Sequence, residues 1–414
     1  MNKYFTDVLI IGAGISGLAC ARALKEHGCS SIIILEATDK IGGRVATDYS
    51  DGFLLDHGFQ VLIDGYPEVK RLGIVHDLRA TCFAHGSIIR IKNNFYHLPD
   101  PFRHPSKAIS ALFSPAITFV DKLRLALLRM NIHRMPVIAN ETTYEYLKRL
   151  KFSDKAIQHF FQPFFGGVFL ENNLNTPANK FTYLFDIFKK SNILLPEQGI
   201  GAISKILASP LDQSSILLKR RVVAINRYSD NLGVVYTEDE TFEANKIILT
   251  SANLEGLLPD SIRLPSSTSF NSVSCLYFSA TFIPYPLNLP YLILNTNGSE
   301  LILHMCCLSN IQPSYSPRGS HLISVTVINN SQLTSLEIVI REELEAWFGK
   351  SVDGWQLLKI FHIEHAIPQG FPNNPICIES PWLYRAGDYV LEATLNGALK
   401  SAWQVADEIY KNSI

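Results

Sequence analysis

The segment Gly12-Ala13-Gly14-Ile15-Ser16-Gly17 follows directly on an apolar run at 8–11 and precedes a second run at 31–35 that ends on an acid, Glu36. Strand, glycine turn, helix, strand and acid in that order, with about 20 residues between turn and acid, specify a βαβ unit holding a dinucleotide. Gly12 permits the tight turn, Gly14 lets the backbone approach a pyrophosphate, and Gly17 lets helix and strand pack closely. The phosphates then meet unpaired N–H groups of the first helical turn, at Ile15 and Ser16. Ala19, Ala21, Ala23 and Leu24 continue the helix, and Gly28 can close it in a left-handed conformation. Glu36 is placed to accept hydrogen bonds from ribose hydroxyls. Three such glycines alone also serve ordinary turns; the ordered context carries the assignment.

The next residues separate nicotinamide from flavin. Gly42-Gly43-Arg44 follows Glu36 closely, and Leu55-Asp56-His57-Gly58-Phe59-Gln60 comes soon after. A nicotinamide dehydrogenase has no general need of a glycine pair and an arginine here, whereas a stretched FAD needs a second anchor. Arg44 can give a bidentate contact to the pyrophosphate, and Gly42 and Gly43 let the backbone pass beside the flavin. The plain alternative is a surface turn carrying a solvated arginine.

Near the other end, Leu383-Tyr384-Arg385-Ala386-Gly387-Asp388 leads into Ala393-Thr394-Leu395-Asn396-Gly397-Ala398-Leu399-Lys400-Ser401. With these motifs the chain resembles the FAD-dependent superfamily of flavin amine oxidases, protoporphyrinogen oxidases and phytoene-desaturase-like enzymes. The resemblance implies that Gly387-Asp388 sets its carboxylate on the ribityl chain and that Val223 lies against the adenine. It also implies that the helix start at Leu395, Asn396 and Ala398 faces the flavin pyrimidine ring, where its partial positive charge stabilises the reduced state. Gly58, Phe59 and Gln60 fall in the segment expected along the flavin, and His57 and Gln60 are the candidates for polarising N5 or the substrate. Residues 196–203 resemble the family's Gly-rich lead-in to a helix, and residues 149–170 look closest to the desaturase-like branch. No cysteine lies between 385 and 389, so FAD is expected without a covalent link.

The expected fold is α/β (α+β overall): a Rossmann-type FAD-binding domain from 1–75, 195–260 and 365–414, interleaved with a mixed α+β substrate-binding domain from 76–194 and 261–364. With 414 residues, 47% of them hydrophobic and 18% charged, the chain can bury a large core divided between two domains. A net charge of −1 excludes a general pull toward nucleic acid. Seven cysteines without a CxxC spacing suggest free thiols in a reducing compartment, and no cluster has metal spacing. No secretory signal or bilayer-length apolar run is visible, so the expected location is cytoplasmic, with a peripheral membrane contact kept open.

That contact concerns residues 108–130, rich in Ile, Leu and Phe and flanked by Arg103, Lys107, Lys122, Arg124 and Arg129. A pair of helices packing apolar faces inward, broken at Pro115, is the preferred expectation; a monotopic membrane face is the other. The superfamily's amine oxidases carry a lysine near flavin N5 on a strand of the substrate domain. The matching strand here is 272–282, the position falls near Ser274, and no lysine occurs from 256 to 347. Tyr277, Phe278, Trp382, Tyr384 and Trp403 are expected to be core more than substrate cage, and His304 is a weaker polar candidate. The expected activity is hydride removal from a largely apolar small molecule, of the desaturase or dehydrogenase kind on C–C bonds, with oxygen or a quinone as acceptor. The alternatives are a flavin amine oxidase and an FAD-bound isomerase or non-turnover flavoprotein.

Overall fold

The computed structural model describes residues 2–259, 261–262, 268–328, 335–379 and 381–412; the side chains of 107, 108, 110 and 111 also lie outside the description. Strand Asn2–Ile11 ends in four consecutive buried residues, Val8, Leu9, Ile10 and Ile11. A strand covered on both faces reads as such a continuous apolar run. It pairs in parallel with Ile32–Leu35 on one edge and Glu240–Leu249 on the other, and Ile216–Leu217 extends the sheet beyond Ile32–Leu35. The outer edge of Glu240–Leu249 is shared. Its first half pairs antiparallel with Leu232–Thr237, and its last three residues pair in parallel with Leu383–Arg385. Val222–Ser229 and Leu232–Thr237 form the hairpin expected at 226–238, turning at Asp230-Asn231.

Helix Ile15–Glu26 makes the crossover and packs on the C-terminal helix Leu395–Lys411 and on Ala202–Ala208. Small side chains allow the approach: Ala19, Cys20 and Ala21 share one core with Ala402, Ala406 and Ile203, and the Cys20 thiol lies 3.5 Å from the Ala402 carbonyl. Gly28, at φ +88°, follows the helix end as expected.

A second, seven-stranded sheet has the order 356–368, 270–280, 321–327, 302–307, 292–295, 86–91, 94–99. One face is covered by helix Leu336–Phe348. The other carries Cys275, Tyr277, Cys306 and Leu322 against Phe53, Leu55 and Leu195, which belong to neither of the two large sheets. Segments expected in different domains are joined here: Leu62–Ile63 and Thr81–Cys82 both pair with Ile193–Leu195, and strand Gln356–Pro368 runs through position 365. Tyr277, Phe278, Trp382, Tyr384 and Trp403 are all buried core. All seven cysteines are free thiols.

The inward packing preferred for residues 108–130 is corrected by the structure. Helices Ala108–Phe113 and Phe119–Asn131 do form and do break around Pro115. Ile109, Leu112, Phe113, Phe119, Val120, Leu123, Leu127 and Met130 nevertheless face outward, with Phe113 79% and Met130 72% exposed. An apolar stripe shows that a face wants cover; it does not say what covers it. The flanking basic groups turn back onto the protein: Lys122 donates to the carbonyls of Leu112 and Ser114, and Arg129 pairs with Asp100. The side chain of Lys107 lies outside the described residues.

Candidate active site

The three glycines of the first turn are required for three different reasons. A Cβ on Gly17 would stand 1.9 Å from the Gly12 carbonyl oxygen, closing off the helix–strand contact. Gly12 has φ +108°, and a Cβ there would lie 2.4 Å from Thr250 Oγ1. At Gly14 a Cβ would meet nothing nearer than the Gly42 carbonyl oxygen at 4.0 Å, so its side is open to a ligand. Helix Ile15–Glu26 starts at Gly14 without a side-chain cap and without an acid in its first turn. Its free N–H groups at Ile15 and Ser16, with the positive end of the helix dipole, are suited to an anion. The donor set and the open cradle fit a pyrophosphate.

Glu36 accepts from the Ala13 amide at 2.8 Å through one oxygen and from the Thr38 amide and hydroxyl, each at 2.9 Å, through the other. The glycine turn is thereby fixed to the end of the second strand, and the carboxylate keeps lone pairs for ribose hydroxyls. Gly42, at φ +116°, donates to the Ala13 carbonyl at 2.8 Å and brings the glycine pair alongside the turn. Arg44 follows it. Its guanidinium makes a bidentate pair with Asp388, at 2.8 and 2.6 Å, and donates to the Ala366 carbonyl at 2.8 Å. Two residues 344 positions apart, expected at the pyrophosphate and at the ribityl chain, are therefore neighbours. Gly387 is held by Ser401, whose hydroxyl accepts from its amide at 2.8 Å and ties the Gly-Asp turn to the C-terminal helix. A cleft of about 430 Å³ opens at this point, lined by Gly43, Arg44, His57, Tyr389, His362 and His365 among others.

His57 is 3.0 Å from Asp48 and tilts against the Phe361 ring. The Gln60 amide donates to the carbonyls of Arg44, at 2.6 Å, and His57, at 2.9 Å, bracing the arginine turn. Gly58 has φ +92° and its carbonyl accepts from the Tyr277 hydroxyl at 3.0 Å. Phe59 packs edge-on against His304. The C-terminal helix is capped by Thr394, which accepts from Gly397 at 3.0 Å, leaving Leu395, Asn396 and Ala398 in its first turn. The Asn396 amide group is committed elsewhere: it accepts from the Glu68 amide and donates to the Tyr183 hydroxyl and Glu392. Only its backbone stays available for the expected contact. Val223 sits at a bulge in its edge strand, between the paired Val222 and Ala224, and is 46% exposed.

Two residues escaped the sequence patterns. Asp56 accepts from the Thr47 hydroxyl at 2.6 Å, the Ile200 amide at 2.9 Å and the Tyr315 hydroxyl at 2.8 Å. It joins the loop after Arg44 to the Gly199-Ile200-Gly201 turn and to the turn Pro313–Tyr315; burial pushes its carboxyl up to about 6 against the pull of these donors. The other is Lys180, buried on helix Ala178–Phe188. Its apolar neighbours along the helix, Ala178, Phe181 and Leu184, were the available signal for it.

The family model "Flavin containing amine oxidoreductase" matches residues 15–410. A stretch of 165 residues is 26% identical to protoporphyrinogen oxidase 2, chloroplastic/mitochondrial, of Arabidopsis thaliana, covering 39% of this chain and 32% of that one. Another, of 58 residues, is 47% identical to polyamine oxidase 2 of Arabidopsis thaliana, covering 14% of this chain and 12% of that one. These alignments span a minor part of either relative. The crystal structure of an oxidoreductase from Methanosarcina mazei superposes with a TM-score of 0.75 at 19% identity, over 97% of this chain and 100% of that one, which is a likeness of fold. With its family matched over nearly all its length and the cofactor motifs brought together in space, the chain belongs to the flavin containing amine oxidoreductases.

Proposed function

We propose that the enzyme takes a hydride from one carbon of a largely apolar small molecule while the adjacent carbon loses a proton to solvent, leaving a new C–C double bond, and passes the electrons to oxygen or a quinone. The observation that carries this reading is the wall facing the cofactor residues. Val273, Leu303 and Ile328 form one buried cluster with Leu170, Ile363 and Ala366, and Ala366 is the residue whose carbonyl holds Arg44. Bound FAD supplies the hydride acceptor; the protein must hold a C–H bond against it and keep water away, which an apolar wall does. Polar groups nearby are quiet. Ser274 Oγ lies 2.7 Å from His362 Nδ1, and burial depresses His304 to about 3, leaving a neutral imidazole.

In this reading Arg44 and the first turn at Gly14, Ile15 and Ser16 hold the pyrophosphate, Glu36 the ribose, Val223 the adenine and Asp388 the ribityl chain. Gly58, Phe59, Gln60 and the helix start at Leu395–Ala398 border the ring, and no covalent link is made. Gly42, Gly43 and Gly387 allow the close passage of backbone. The division into an FAD domain from 1–75, 195–260 and 365–414 and a substrate domain from the remainder is part of the same proposal. So is a peripheral membrane contact through the exposed stripe from Ile109 to Met130, a route for an apolar substrate.

The polyamine oxidase identity favours a second reading, oxidation of an amine. Against it stands strand Phe270–Ala280, which offers no lysine. Turnover with polyenes, porphyrinogens and polyamines, scored by products and by acceptor consumed, tests the choice. A desaturated product with acceptor consumed supports the first reading, an imine or aldehyde the second, and conversion without acceptor consumption would replace both by isomerisation.

A further inference from the structure

Lys180 is 1% exposed. Lysine reaches such burial almost only when paired. Yet among the described residues its ammonium makes no hydrogen bond and no ion pair; it stands 5.5 Å from the centre of the Phe169 ring. The carboxylates that act on it, Asp388 and Glu171, do so from beyond contact distance, and Asp388 is engaged by Arg44. Burial pulls the lysine down to about 8, and the two carboxylates oppose that pull.

Its position on the helix says what faces it. Tyr183 lies one turn further along the same face. The Tyr183 hydroxyl donates to Glu392 at 3.0 Å and accepts from Asn396 at 3.1 Å, in the first turn of the C-terminal helix. Lys180 thus lies on the helix whose Tyr183 meets the start of the C-terminal helix, the place proposed for the pyrimidine ring, and Asp388, proposed for the ribityl chain, acts on it from beyond contact distance. A buried ammonium there lacks an anion.

We propose that Lys180 is the electrostatic partner of the negative charge that two-electron reduction leaves on the pyrimidine side of the flavin. The inference rests on the FAD reading and on the placement of Asp388. Oxidised FAD has a neutral ring and gains little from the ammonium, whereas the reduced anion gains much in a site walled by Phe169. Differential stabilisation of one state over the other raises the reduction potential. The helix start at Leu395 adds partial charge of the same sign.

Lys180→Met, with and without FAD, tests the assignment. Sulfite is the probe: its sulfur lone pair adds to the oxidised ring and leaves the electron pair and the negative charge there, as reduction does. The expected K180M protein is yellow, binds sulfite at least tenfold more weakly, and has a lower two-electron potential, a tenfold change being about 30 mV. Its apoprotein melts no lower than wild type, since an unpaired buried charge has been removed. An FAD-loaded K180M with sulfite affinity within twofold of wild type overturns the assignment. A K180M protein that no longer takes up FAD overturns it too, because Lys180 would then serve retention. A wild-type protein unable to bind FAD would instead refute the cofactor reading.

Discussion

At the scale of single residues, Glu36 and Arg44 each do more than the motif spacing assigns them. Glu36 braces the glycine turn through Ala13, and Arg44 closes a pair with Asp388. Glu36→Ala and Arg44→Ala are expected to weaken FAD retention by roughly 1.5 to 3 kcal/mol each, the range for hydrogen bonds to charged groups. Fluorescence titration of the apoproteins measures it, and affinities equal to wild type would contradict the assignments. Asp56 makes a pH prediction. Burial pushes its carboxyl up to about 6, above the roughly 3.9 of an unfolded chain. The folded state therefore holds this proton more tightly, so the contribution to stability is full below about pH 4 and is lost as pH rises through 6. About two units correspond to ~3 kcal/mol. Denaturant unfolding of apoprotein from pH 4 to 7 should show wild type losing that amount relative to Asp56→Asn; parallel curves would mean an ordinary carboxylate. Glu36 was legible in sequence because its partner is a local motif. The Asp56 network was not, because Thr47, Ile200 and Tyr315 meet only in the folded chain.

At the scale of elements, the first turn separates folding from binding. Gly17→Ala drives a methyl into the Gly12 carbonyl and should cost about 1 to 3 kcal/mol or more. Gly14→Ala meets no neighbour inside contact distance and should leave apoprotein stability nearly unchanged while weakening FAD binding. Paired melting and FAD titrations check this; equal losses of stability in both variants would contradict it. The hairpin at Asp230-Asn231 was legible because turn chemistry and alternation are local. The helix pair at 108–131 was legible as helices and misread in its cover, since periodicity reports an apolar stripe but not its partner. A Phe113→Ser, Leu127→Ser variant is expected to lose most co-sedimentation with anionic phospholipid vesicles shown by wild type. A wild type that stays in the supernatant would remove the membrane contact from the account.

At the scale of the whole molecule, the two sheets are built from interleaved stretches of chain. Arg44 and Asp388 become one site only because strands Asn2–Ile11 and Leu383–Arg385 both flank Glu240–Leu249. The parallel sheet could be read from its motifs. The order of the seven-stranded sheet could not, since its register depends on pairings such as Ser87 with Leu292 that no local pattern announces. The same holds for the apolar wall at Val273, Leu303 and Ile328, assembled from three strand regions. That wall, set against the residues proposed to hold FAD, is the basis for the proposed hydride removal from an apolar carbon, and the visible spectrum during anaerobic addition of substrate tests it most directly. The account predicts that polyenes or porphyrinogens bleach the flavin band and polyamines leave it unchanged. Bleaching by polyamines alone would contradict it.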